Sequence, residues 1–450
     1  MAPTLPLADG FPTFTEDDWR AAVARTRRGV LESEGVARAA TREGGPLHQR
    51  QSGARPIVGR PPGQRWRIVE RIDAATPKDA ARAIGEAAAG GATGIEVAFA
   101  EGLHPLAAAT PADLAPEVAT ALAAAMPQQC VIRVGAGEPR QSVVDTFLDV
   151  AEALNAEVAF AFDPVAARAL GRDSRGEETA RATAAAFDVR GIAGVALSAD
   201  GRLWHAGGAT EEQELAVVLA TFVSHARLLD RTDRIGVALT ADADQFRSIA
   251  KFRAMRLLLA RVLEIAGFSA PRPHIHAETA WRTLSARDPQ MNILRATSAA
   301  FGAAVGGADS ITILPFDAAA GENDAGRRLA RNTQIILAEE AHLFRVADPA
   351  AGSGAIEALT AMFAEAAWGR FQAIEAEGGI VAAIEEGALL REIAETRETR
   401  LARVARGDLR MVGVNAFRGE ATAATVRLVP VKRTGPLTFK RLPAPFEETP

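Results

Sequence analysis

Tyrosine is missing from these 450 residues, so no site in the chain has a phenol to donate a hydrogen bond or to wedge against a ligand. Cysteine is nearly missing too. Cys130 stands alone, which excludes an internal disulfide and suits a reducing, cytoplasmic setting. No apolar run reaches the ~18 residues of a membrane-spanning helix. The opening MAPTLPLADGFPTF lacks both the basic and the apolar region of a signal peptide. A surplus of positive charge is lacking as well: 51 Lys and Arg against 56 Asp and Glu leave a net charge of −5, which gives neither nucleic acid nor an anionic membrane a reason to bind. What remains is ample apolar material, 48% of the residues, enough for the core of a long α/β barrel with extensions.

The rhythm of the chain agrees. Residues 1–74 read as an N-terminal arm. FPTFTEDDW opens a short amphipathic helix with Thr15 as N-cap, and a polar Gly-, Pro- and Arg-rich stretch follows that cannot order itself by burial. The aromatics Phe11, Phe14, Trp19 and Trp66 in such a stretch point to a surface shared with a partner, and a deletion of residues 1–70 is expected to leave a folded barrel. From residue 75 strands and helices alternate. Strands are expected at 94–99, 130–134, 157–162, 192–198, 234–240, 274–278 and 310–314, with an eighth near 344–348. Eight strands alternating with helices predict a (β/α)8 barrel over 75–350, and 351–450 reads as a C-terminal helical region. Phe252, Met255, Leu259 and Val262 form one apolar stripe of a long helix. Leu329, Ile336 and Leu343, seven apart, predict an apolar inner face for another that runs on to Phe344.

The segment NILRATSAAFGAAVGGADSITILPFD, followed by RLARNTQIILAEE, resembles the coenzyme-B12-dependent acyl-CoA mutases, the methylmalonyl-CoA mutase family. So do the D-P-A-x-G-S turn at 348–353, VGVN at 412–415 and the closing R-L-x-x-P-F-E at 441–447. The wording of FPTFTEDDW, IVGRPPGQRWRIVERID, LWHAGGATEEQELA and AWRTLSARDP is similar to the family's non-catalytic small (β) subunit. The resemblance implies a barrel through which, in catalytic members, an acyl-CoA threads toward adenosylcobalamin. It places Arg202 and Leu203 where those members carry a Tyr-His pair, Leu314 and Ala318 where they grip the adenosyl ribose with Asn and Glu, and Glu278 where they have an amide. A leucine cannot donate a hydrogen bond to a thioester carbonyl. His205, two residues past Leu203 in an extended segment, would sit ~6.6 Å further along. Glu278 would add a negative charge beside an anionic substrate. No D-x-H-x-x-G motif for base-off cobalamin occurs. The implied chain binds no cofactor, lacks a cobalamin-binding domain and pairs with a catalytic large subunit that holds adenosylcobalamin and isomerises methylmalonyl-CoA to succinyl-CoA.

Two other readings stand beside it. The barrel could be a ligand-binding or catalytic acyl-CoA mutase barrel served by a separate cobalamin-binding subunit. Alternatively His274, His276 and Glu278, alternating on one strand face, have the H-x-H spacing of a metal-dependent barrel hydrolase.

Overall fold

In the computed structural model the described residues are Thr15, Asp18, 55–106, 110–172, 176–268, 271–321, 324–418 and 435–447. Nine parallel strands form a single sheet: β1 Arg67–Ile72, β2 Gly94–Ala98, β3 Val131–Gly135, β4 Glu157–Phe160, β5 Gly194–Val195, β6 Leu197–Asp200, β7 Ile235–Ala241, β8 Ile275–Thr279 and β9 Ser310–Thr312. They pair in the order β5-β4-β3-β2-β1-β9-β8-β7-β6. β5 and β6 are one extended stretch interrupted at Ala196, so the two ends of the sheet meet within a single strand and the sheet closes as a (β/α)8 barrel with that seam. The seam opens because Ala196 N and Leu197 N both turn to Arg234 O, leaving β4 to carry β5 alone.

Helices cover the outside. Thr76 caps Pro77–Ala89 through Asp79 N, and Pro at the first turn presets its φ. Helices Ala115–Ala125, Gln141–Leu154, Gly176–Arg190, Glu211–Leu229, Gln245–Ala266, Gln290–Val305 and Asp324–Glu339 continue the ring. Those of the first half, through Gly176–Arg190, pack on the outward strand positions Ile95, Val97, Ile132, Val134, Val158 and Phe160, and those of the second half on Ile235, Val237, Leu239, Ile275 and Ile311, all buried. On Gln245–Ala266 the expected stripe is in place: Phe252, Met255, Leu259 and Val262 all face the core. Beyond the barrel, Gly354–Ala376, Ile380–Glu386 and Ala388–Arg406 form the helical region. No helix among the described residues is long and apolar enough to cross a membrane.

Several expectations change. The first barrel strand is β1, inside the stretch read as arm, and residues 344–348 are turn rather than strand. RIVERI conceals a central strand because its charges look solvated, yet Glu70 is buried against Arg331 at 2.5 Å. A deletion through residue 70 would therefore remove most of a central strand. The helix Asp324–Glu339 is also turned by about one residue from the seven-spaced stripe. It buries Arg327, Ala330, Arg331, Gln334 and Leu337 and leaves Leu329 and Ile336 partly exposed. Polar partners decided this: Arg331 must meet Glu70, and Gln334 accepts from Trp66 Nε1 at 3.2 Å. That helix stops at Glu339 rather than Phe344, and His342 beyond it takes the left-handed conformation.

Candidate functional site on the barrel axis

The inward strand positions are unusually polar for a filled barrel. The registers Arg71↔Glu96↔Arg133 and His276↔Ser310, Glu278↔Thr312 put these side chains on the axis in adjoining layers. Asp200 ends β6 and caps the short helix Gly201–Gly207 by accepting from Arg202 N at 3.0 Å. A side chain at position 201 would press on Glu214, Val218 and the Ala238 carbonyl at 2.9–3.0 Å, so glycine lets the helix begin against β7. This helix folds Arg202 back over the strand ends.

There Arg202 Nη1 donates to Glu96 Oε1 at 2.9 Å and to Glu278 Oε2 at 3.0 Å, Nη2 to Asp200 Oδ2 at 2.8 Å and Nε to Asp200 Oδ1 at 3.0 Å. His104 Nε2 lies 2.6 Å from the other Glu278 oxygen. Below, Glu96 Oε2 is 3.5 Å from both Arg133 Nε and His276 Nε2. Ser310 Oγ then bridges His276 Nδ1 at 2.8 Å and His274 Nε2 at 2.9 Å. Polar groups thus follow one another along the axis from His104 at the C-terminal mouth to His274 near the opposite end.

Buried charge persists only where it is paired, and the titration of these groups follows. Burial works to raise the Glu278 pKa, but His104 and Arg202 beside it hold it down at about 2. Burial likewise opposes ionisation of Glu96, and Arg202, His276 and Arg133 overcome it, leaving its pKa well below the usual range. Arg202 would lose its proton more easily for being buried, yet Asp200, Glu96 and Glu278 keep it firmly charged. His276 is the opposite case: burial, seconded by Arg133, depresses its pKa to about 3, so its imidazole is neutral. The space left at the mouth among Arg71, Glu96, His104, Asp200 and Arg202 is about 20 Å³, room for roughly one water.

An apolar cluster gathers just past the C-terminal ends of β8 and β9. Leu314 and Ala318 are buried with Leu106, Trp281, Leu284 and, from the tail, Phe439, whose ring meets Trp281 edge-on at 6.3 Å. Leu203 points away from the axis into the main core.

The site residues expected from the sequence are therefore sorted by the fold. Arg202 and Glu278 are brought into contact, so Glu278 presents no free negative charge to a substrate. Leu314 and Ala318 share that apolar cluster. His205 lies in a helix rather than an extended segment. It sits 3.3 Å from Asp242, which Arg282 also holds at 3.0 Å, and burial followed by the Arg282 charge depresses its pKa to about 3. His274, His276 and Glu278 do share a face, but Ser310 engages both imidazoles and Arg202 and His104 take the carboxylate. Among the described residues no group of three or more His, Cys, Asp or Glu is placed to hold a metal. Trp66 is a core residue, not a surface anchor: it is 2% exposed, with Arg60 over its ring. Phe11, Phe14 and Trp19 lie outside the described residues. Glu96, Arg133, Asp200 and His104 were not singled out from the sequence. The signal was there for the first two, each a lone charge in an otherwise apolar strand, IEVAF and VIRV.

The family model described as methylmalonyl-CoA mutase matches residues 193–437. A probable methylmalonyl-CoA mutase small subunit of Mycobacterium tuberculosis (strain H37Rv) is 41% identical over 286 residues, which are 60% of this chain and 45% of that protein. The methylmalonyl-CoA mutase small subunits of Streptomyces virginiae and Propionibacterium freudenreichii subsp. shermanii are 42% identical over 265 residues and 43% over 201. Those matches cover 55% and 42% of this chain, and 43% and 32% of the respective relatives. The chain thus spans less than half the length of these relatives. The family match reaches from β5 through the second half of the barrel to residue 437, and on that match this chain belongs to the methylmalonyl-CoA mutase family.

Proposed function

We propose that this chain is the non-catalytic small (β) subunit of a heterodimeric methylmalonyl-CoA mutase. Its partner is a catalytic large subunit that carries adenosylcobalamin and converts methylmalonyl-CoA to succinyl-CoA. The observation that carries the reading is the occupancy of the axis. Where catalytic relatives are implied to have a Tyr-His pair, Arg202 is fastened by Glu96, Asp200 and Glu278, and the roughly 20 Å³ beside it admits no acyl group. Leu314 and Ala318 offer a ribose no hydrogen bond. The chain itself binds neither acyl-CoA nor cobalamin. The relatives are named small subunits, which supports a large-subunit partner here. Phe11, Phe14 and Trp19 are the aromatic anchors for it.

Co-expression with the large subunit tests the pairing. The two chains are expected to co-purify, and removal of residues 1–54, which spares β1, is expected to abolish pairing while leaving the barrel folded. Thermal melts of the isolated chain with methylmalonyl-CoA and with adenosylcobalamin are expected to show no saturable shift. A saturable shift with either would overturn the non-binding reading, and undiminished pairing of the shortened chain would remove the arm from the interface.

A further inference from the structure

We propose that Glu96, Asp200 and Glu278 form a guanidinium site whose resident ligand is this chain's own Arg202, and that this internal ligand ties the barrel shut across its seam. The inference stands on the axis geometry alone and holds whatever the subunit's catalytic status.

The three carboxylates come from β2, β6 and β8, no two of them neighbours in the sheet, and all are buried. Left together without a cation they would repel one another in a low-dielectric interior. One planar fork reaches all three, through Nε and both terminal nitrogens. A lysine ammonium on a longer, flexible stem offers no such fork.

The position matters as much as the chemistry. β5 and β6 are the two ends of the hydrogen-bonded sheet. Past Val195, β4 and β6 are joined by Ser198 N to Phe162 O at 2.9 Å, Ser198 Oγ to Phe160 O at 3.0 Å and Asp200 N to Asp163 Oδ2 at 3.0 Å. A regular parallel ladder is replaced there by a few bonds, two of them through side chains. Arg202, two residues beyond the end of β6, anchors that edge through the axis to β2 on one side and β8 on the other. Because the ligand is tethered, the site is filled at a high effective concentration without any solute.

Truncating the ligand should leave a vacant site that takes small alkylguanidinium ions. Arg202→Ala is expected to melt well below the wild type. Ethylguanidinium, at millimolar concentrations too low to denature, is expected to raise its melting temperature saturably and recover a substantial part of the loss. Ethylammonium should not do so, nor should ethylguanidinium act on the wild type or on Arg202→Ala/Glu96→Gln/Glu278→Gln. Hydrogen exchange should quicken at the Ser198 and Asp200 amides more than at the β2–β3 ladder. An Arg202→Ala chain as stable as wild type, an absent or non-saturable response, or an equal response to ethylammonium would overturn the proposal. If Arg202→Ala does not fold, Arg202→Lys decides. It keeps the charge without the fork, so a Lys variant that melts with the wild type and keeps the Ser198 and Asp200 amides protected sinks the idea, whereas a lowered melt with those amides deprotected supports it.

Discussion

Acid should weaken this fold well before its carboxylates titrate. His276 and His205 are buried and neutral, with pKa values held to about 3 against 6.5 for a free imidazole. A group with a depressed folded pKa binds more protons when unfolded, so stability falls as pH falls. For these histidines the loss begins near pH 6.5 and continues down to about 3. At pH 5 each contributes a loss of about 2 kcal/mol relative to pH 8, and the two together about 4 kcal/mol. That is a large share of the ~5–15 kcal/mol typical of a folded domain. Burial depresses His274 in the same direction, which adds to the slope. Below about pH 4.5 the paired carboxylates Glu278, Glu96 and Asp242, all depressed, join and steepen it. The assay is urea unfolding of the full chain at pH 8, 7, 6 and 5, with His276→Gln and His205→Gln alongside. Each variant, whatever its stability at pH 8, should lose about 2 kcal/mol of the pH 8-to-5 difference. Variants that keep the whole wild-type loss between pH 8 and 5 would refute the burial of neutral imidazoles on which the axis description rests, since Glu70, Glu214 and Asp244, whose pKa values burial raises, oppose part of the wild-type slope.

Trp66→Ala is expected to cost about 3–5 kcal/mol, because the ring is in the core and its Nε1–H is given to Gln334. Denaturant unfolding reads this, and a loss under about 1 kcal/mol would return Trp66 to the surface role first expected of it. Behind β7, Lys251 meets Glu214 at 2.7 Å with both side chains buried. Glu214→Gln should cost on the order of 3–5 kcal/mol by stranding the lysine. The double variant Glu214→Leu/Lys251→Met should cost less than that single change, since it leaves mainly the Thr240 N–H without its acceptor, about 1–3 kcal/mol. A double variant worse than the single would show that the pair is net stabilising.

Much of the barrel was legible from one dimension because the strands that face helices on their outer side keep an apolar alternation, as in TGIEVAF and RIGVALT, and the long helices keep a 3.6-residue stripe. The residues that the resemblance puts at the family's site positions, Arg202, Leu203, Leu314, Ala318 and Glu278, could also be named from the sequence, since motifs such as DGRLWHAGGAT locate them by adjacency. Contact is another matter. β1 was hidden because hydropathy treats Glu70 and Arg71 as solvated, and only the neighbouring helix shows that Arg331 meets Glu70 in the interior. The same pairing turned the helix Asp324–Glu339 away from its apolar stripe. Arg202 and Glu278 stand 76 residues apart, and nothing in their local sequence couples them. Closure of the sheet brings β2, β6 and β8 around one axis, and there a low dielectric makes ion pairing obligatory. The sequence by itself determined that charged and imidazole side chains fall on strand positions; the tertiary structure decided that they face one axis, pair across it and leave little space beside them.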